Sequence, residues 1–392
     1  MEEKIAKEVI DKLITHIQKE KYKGYDPYDT LNSFIPFKLF GSFVQAAAIQ
    51  FQLRNPINIR KIIGIKKEYS VKSLGLILHA YAILYSRYPS KELLVEMNFL
   101  FDLIYSLRRI DNRFKGWFWA VHYPIVWKGR NRPKFDPSSV LASTIFEGVF
   151  EYYRITNNEK AKEVLLGIAE FIQNCIPTTE TEHGKCYSYT TTSSDIIFNA
   201  NAFVCEVLAK CYFLTHDKQF QRDAIKSLNF TVYHQKKNGS WMYRYYPDSG
   251  KEKNQIDFHQ GFILNSLNEA IHYLSLEDKK YIDAIKKGYD FYINKQFTKD
   301  GRGMWRYPVL YPIDIHNQAV GIITFSKMST YSSLSKDVTS EIIEYTLSNL
   351  YNKKKGYFYY QKRKFFTNRI DYIRWNQSWM LLALAYYIKS IK

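Results

Sequence analysis

The sequence has few cysteines, few prolines and no long apolar run. Four cysteines in 392 residues (Cys175, Cys186, Cys205 and Cys211) form no CxxC pair and match neither zinc-finger nor disulfide-framework spacing. Free thiols fit a reducing compartment. Eleven prolines and seventeen glycines are too few and too scattered to make a flexible linker. No stretch of about 18 apolar residues occurs, and the charged amphipathic start, MEEKIAKEVIDKLITHIQKE, is not a signal peptide. The expected location is therefore cytoplasmic. Acidic residues are also scarce. Thirty-eight Asp and Glu face 56 Lys and Arg, a net charge of +18 spread along the chain. Such a field favours anionic partners: an acidic glycan, or peripheral contact with an anionic membrane surface. No nucleic-acid motif accompanies it, which speaks against nucleic acid.

What is present is apolar periodicity. Hydrophobic residues make up 46% of the chain and aromatics 17%, enough for a large core. The apolar period is helical nearly throughout, so an all-α protein is expected. The helices pair. Each unit has an apolar helix, a short polar turn and a Lys-rich amphipathic helix. Three first helices open at IDFHQ (256–260), IDIHNQ (313–318) and IRWNQ (373–377). Aligned at Asn199, His259, His316 and Trp375, the units step by 60, 57 and 59 residues. A period of that length marks a repeat architecture. Six inner helices start near 70, 138, 195, 256, 313 and 372, and five are followed by an outer helix. The N-terminal helix, 1–20, is available as the sixth outer partner. The count predicts one (α/α)6 toroid domain over 1–392, closed by that helix. An additional helix is expected over 39–53.

A second repeat lies in the connections. Glycine opens a short aromatic, strand-like burst five times: GWFWAVHYP (116–124), GKCYSYT (184–190), GSWMYRYYP (239–247), GRGMWRYP (301–308) and GYFYYQKR (356–363). In a toroid these bursts and the inner-helix N-termini gather at one end, where the helix dipoles add positive potential.

That end supplies the candidate site. Asp257 and His259 would lie beside Asp314 and His316, which are the candidate catalytic groups. Asn199, Asn317, Gln318, Arg374, Trp375, Asn376 and Gln377 would flank them. Trp241, Arg244, Trp305 and Arg306 would form a rim, with Tyr25 and Asp26 crossing the mouth. Aromatic faces stack on a pyranose while amides, Arg and Asp bind its hydroxyls. Asp257 and Asp314 also stand where helix N-caps belong, a structural role worth about 1 kcal/mol. Neither helix offers two metal ligands at i, i+4, so no metal or cofactor is expected.

The hairpin repeats and Gly-aromatic bursts resemble the six-hairpin, (α/α)6-toroid superfamily of carbohydrate-active proteins. GYDPYDTLNS (24–33), IDFHQGF (256–262) and PIDIHNQA (312–319) are similar to a family associated with surface-polysaccharide gene clusters. The resemblance implies work on a glycan and carries no catalytic residue over. Three readings stay open. A uronate epimerase or lyase would use His259 or His316 as base, and the charge and the His/Asn/Gln/Arg content lean slightly that way. A glycoside hydrolase would use the Asp pair, with Glu147 in reserve. A glycan-binding or assembly subunit would use neither.

Overall fold

A computed structural model of the chain describes residues 2–127 and 130–391. The inner helices are α3 (Val71–Arg87), α5 (Ser139–Thr156), α7 (Phe198–Thr215), α9 (His259–Tyr273), α11 (Ile315–Lys327) and α13 (Ser378–Ser390). Each packs on the next, and α13 returns to α3, so the ring is closed. The outer layer is α4 (Lys91–Ser106), α6 (Glu159–Cys175), α8 (Lys218–Tyr233), α10 (Lys279–Lys295) and α12 (Ser335–Asn349). The N-terminal helix α1 (Glu3–Lys19) lies against α13 and completes the sixth hairpin. The fold is an (α/α)6 toroid. One helix, α2 (Gly41–Arg54), stands outside the hairpin pattern, in a long excursion between α1 and α3.

The two layers follow from side-chain placement. In α7, apolar residues sit on nearly every face, and from Phe198 to Cys211 only Phe203 is not fully buried. In α10 the buried side chains, Tyr281, Ala284, Ile285, Gly288 and Tyr292, recur at helical spacing, while the lysines between them face solvent. Side-chain oxygens start the helices: Ser70 caps α3, Ser138 caps α5, Asp217 caps α8 and Asp278 caps α10.

The glycine that opens each burst has a definite packing role. Each has a positive φ and lies against the next outer helix. A Cβ on Gly116 would come 2.3 Å from the Gly167 carbonyl of α6, and one on Gly356 would come 2.7 Å from the Lys12 carbonyl of α1. Only glycine permits both the left-handed turn and this approach. The burst then runs inward to meet an amide of the following inner helix. Asn201 accepts the Tyr187 N–H at 2.9 Å, Gln260 that of Trp241 at 2.8 Å, Gln318 that of Gly303 at 2.7 Å and Gln377 that of Phe358 at 2.9 Å. These four amides step by 59, 58 and 59 residues. They bring the bursts over the N-terminal end of the inner helices.

Candidate functional site

Amide spacing corrects the register of the repeat. On this frame His316 matches Phe258 and Trp375, and His259 matches Asn317 and Asn376. The two histidines are therefore not equivalent, because α9 begins with a tighter turn. Gln260 and Gly261 donate to the carbonyls of Asp257 and Phe258, three residues back.

Both nevertheless border the same ring. The Phe258 ring stacks on His259 at 4.4 Å and on His316 at 4.6 Å between centroids. His259 is partly exposed, next to the edge of Tyr243 at 4.9 Å. Its Nδ1 lies 2.5 Å from Asp257 Oδ1, and the same oxygen accepts its backbone N–H at 3.1 Å. Gln255 donates to the other Asp257 oxygen at 2.8 Å. Burial alone would raise the Asp257 carboxyl. The His259 charge, the bonds from that residue and the Gln255 amide outweigh it and hold the carboxyl below the usual aspartate value.

His316 lies deeper, 2% exposed, in an aromatic box. Trp379 stacks on it at 4.7 Å, and Trp375 and Phe262 approach edge-on at 4.5 and 5.8 Å. Neither ring nitrogen has a hydrogen-bond partner. Burial, and then the charges of Lys72 and Arg374, push its pKa well below the ordinary histidine value, so the ring is neutral. Asp314 beneath it is fully buried. It accepts the His316 backbone N–H at 2.8 Å, Trp375 Nε1 at 2.9 Å and Gln361 Nε2 at 2.6 Å, and burial raises it to about 6. Asp314 thus caps α11 and fixes the Trp375 indole.

The flanking residues divide. Gln318 and Gln377 are committed to the bursts on both amide atoms. Asn317 donates to the Met304 carbonyl, and Asn376 to those of Phe358 and Ile370. Asn199 is buried, and its carbonyl oxygen has no partner. Trp241 is fully buried and donates to the Thr231 carbonyl of α8, so it belongs to the wall between the helix layers. Trp305 is partly exposed, with the Arg306 guanidinium 5.6 Å from its ring. Arg244 pairs with Asp195 at 2.9 Å.

Arg374 is buried and forms a two-pronged ion pair with Asp26, whose Nη2 arm measures 2.9 Å. The segment carrying Asp26 crosses the mouth. Tyr25 bridges to Tyr372, and Tyr28 lies edge-on to Trp375 at 6.0 Å and to Trp127 at 6.3 Å.

Two cations here were not singled out from the sequence. Lys72, in the first turn of α3, sits 5.6 Å from the Trp379 ring, and burial together with the Arg374 charge pushes it down to about 7. Lys253 stands 4.8 Å from the Tyr243 ring, lowered by burial and by Arg306 and Arg244 nearby. Lysines are so frequent in this chain that neither carried a local signal. Lys72 becomes visible only as the α3 counterpart of the other inner-helix heads. Farther along the ring, Lys210 bridges Glu147, at 2.5 Å, and Glu206, at 2.7 Å, which commits Glu147 to a buried charge network. Among the described residues, no three His, Cys, Asp or Glu side chains gather as metal ligands would.

A closed ring of six helical hairpins defines the architecture, and solved structures share that fold. A cellobiose 2-epimerase from Bacillus thermoamylovorans superposes with a TM-score of 0.68 at 14% identity, over 82% of this chain and 88% of that one. A possible GH105 family member from Salmonella enterica serovar Paratyphi A gives 0.65 at 11%, over 99% and 95%. An unsaturated glucuronyl hydrolase specific for heparin gives 0.61 at 13%, over 99% and 96%. At these identities the likeness shows the fold. No protein-family model matches the chain, and no curated protein matches it in sequence.

Proposed function

We propose that this chain is a carbohydrate-active enzyme that abstracts a proton beside the carboxylate of an acidic sugar, as a uronate epimerase or lyase does. The observation that carries the reading is the Asp257–His259 pair at the head of α9. With Nδ1 held by Asp257, Nε2 is left as the nitrogen that takes the proton, and the carboxylate stabilises the imidazolium that results. The reading also calls for cations to meet the sugar carboxylate. Lys253 lies over the Tyr243 ring that borders His259, with Arg306 and Arg244 near enough to lower its pKa, and Lys72 lies over Trp379 near Arg374 and His316. They offset the charge that builds on the carboxylate as the proton leaves. The His316 nitrogens and the Asn199 oxygen, though without partners, are sealed from solvent and so lie outside the surface a sugar would meet. The solved structures that share the fold include a cellobiose 2-epimerase and an unsaturated glucuronyl hydrolase, which supports the substrate class, not the reaction.

The Asp-pair hydrolase has less support. Asp314 is fully buried under three donors, and Asp257 is committed to His259. Incubating the protein in heavy water with a panel of acidic and neutral oligosaccharides tests the proposal. Deuterium incorporation or an unsaturated product from a uronate substrate, lost in His259→Asn with folding retained, is the expected result. Water-dependent cleavage without C–H exchange would replace it with the hydrolase, and binding without turnover would replace it with a binding subunit.

A further inference from the structure

From Thr30 to Lys67 the chain holds no Asp or Glu, and it holds six Lys and Arg. The structure makes this 38-residue stretch an excursion from the mouth of the ring. It is fastened at its base: Arg60 Nε donates to Asp29 at 2.7 Å, and Phe34 N–H donates to the Ile63 carbonyl. Beyond that base its apolar side chains point the wrong way for a soluble surface. Helix α2 buries Ile49 and Gln52 and turns Phe43, Ala47 and Phe51 outward, at i, i+4 and i+8 on one face. Phe43 is 83% exposed and Phe51 64%. Leu39 and Phe40 precede the helix, Ile57 and Ile62 follow it, and all four are exposed too. Isolated exposed apolar residues are ordinary, but a run of them in one excursion marks an interaction surface.

The charge selects the partner. The exposed cations of the excursion are Lys38, Arg54, Lys61 and Lys66, with no carboxylate among them. A second copy of the chain would set like charge against like. An anionic bilayer takes both features, because aromatic and aliphatic side chains enter the headgroup boundary while lysine and arginine meet the lipid phosphates. No helix among the described residues is long and apolar enough to cross a membrane, so the contact lies in the interface. A neighbouring ribbon is tied to the excursion by Asn368 Nδ2, which donates to the Asn55 carbonyl at 3.2 Å. Its turn bears exposed Phe365, Phe366 and Lys364.

We infer that the excursion around α2 docks the protein on an anionic membrane surface, with the mouth of the ring held beside it. The inference does not depend on which reaction the site performs. Sedimentation with vesicles of phosphatidylcholine, alone or mixed with phosphatidylglycerol, tests it directly. Binding is expected to the mixed vesicles, weaker in high salt and at least about tenfold weaker in both Phe43→Ser/Phe51→Ser and Lys38→Glu/Lys61→Glu. These side chains are exposed, so both variants should keep the wild-type unfolding temperature. Equal binding to both vesicle types, no binding to either, or variants that bind like wild type would each overturn the inference. A monomer–dimer equilibrium abolished by Phe43→Ser/Phe51→Ser, without vesicle binding, would assign the face to a second copy instead.

Discussion

Asp257 and His259 are joined twice, through the ring Nδ1 at 2.5 Å and the backbone N–H at 3.1 Å, both to the same carboxylate oxygen. One bond closes the turn that leads into α9 and the other sets the tautomer and orientation of the imidazole. The two roles separate in a variant. Asp257→Asn keeps a side chain able to cap the helix but loses the charge that stabilises the imidazolium. It should unfold within about 1 kcal/mol of wild type while turnover falls by about a hundredfold or more. Substrate binding should change little. Equal losses of stability and turnover would make the pair a structural cap.

A burst glycine should be less tolerant of substitution than a glycine in an open turn. Gly356 (φ +70°) faces the Lys12 carbonyl, whereas Gly250 (φ +64°) has nothing within 4 Å of a built Cβ. Gly250→Ala therefore meets only the backbone term, about 1 kcal/mol. Gly356→Ala must also push α1 away from the ring and should cost about 3 kcal/mol. Urea midpoints of the two variants, compared at equal m-value, measure the difference. Equal midpoints would mean that α1 is not held at Gly356.

His316 is an uncompensated polar group in an aromatic box. Replacing it with Phe removes two unpartnered nitrogens at nearly constant shape and should raise stability by about 1 kcal/mol near neutral pH. Its pH dependence has a definite sign. Burial lowers the folded pKa below the unfolded value of 6.5, so the unfolded chain binds a proton that the folded one does not. Stability is complete above about pH 6.5 and falls below it, by at most about 1.4 kcal/mol per pH unit for each such group. His79, lowered by burial and the Lys210 charge, acts the same way. His316→Phe should show a shallower loss between pH 6.5 and about 5. If the variant is less stable than wild type, the ring nitrogens have partners in solution.

The ring was legible in the sequence because both of its periods have local physical causes. Inner helices are apolar on most faces, and each burst must begin with a glycine that clears the next outer helix. Counting inner and outer helices left α1 as the partner for the last inner helix, and α1 packs on α13. The register at His259 was not legible, because Asp-x-His marks a cap geometry that α9 and α11 share. The amide that fixes the repeat sits one residue nearer the cap in α9, and only the partners of Gln260 and Gln318 reveal it. The role of the amides was obscure for a similar reason. Asn317-Gln318 and Asn376-Gln377 read as polar groups in search of a ligand, and the partners are backbone atoms of the bursts. Helix α2 was readable as a helix, but which of its two apolar faces turns outward was not.

A buried ion pair fastens the segment that carries Asp26. Asp26 and Arg374 are both buried, 348 residues apart in sequence, and meet in a two-pronged pair. Burial would raise the Asp26 carboxyl, but the Arg374 charge and its hydrogen bonds hold it below the usual value. Removing either partner leaves a charge in a site with little water. Asp26→Leu and Arg374→Met should each cost about 3–5 kcal/mol, whereas the double variant should recover most of that loss. The coupling energy from the four unfolding curves is the measurement, and additive losses would show that water already solvates the pair. The double variant also reports on function. It keeps the segment packed through Tyr25, which bridges to Tyr372, and Tyr28, which lies edge-on to Trp375, but it removes the charges nearest Lys72. Losing the Arg374 charge lets the Lys72 pKa rise, and losing the Asp26 charge lets it fall. If Lys72 helps to hold a sugar carboxylate, glycan binding should weaken as pH rises through about 7 in the wild type, because the lysine is then losing its charge. In Lys72→Arg, which stays charged, that pH dependence should disappear while binding persists.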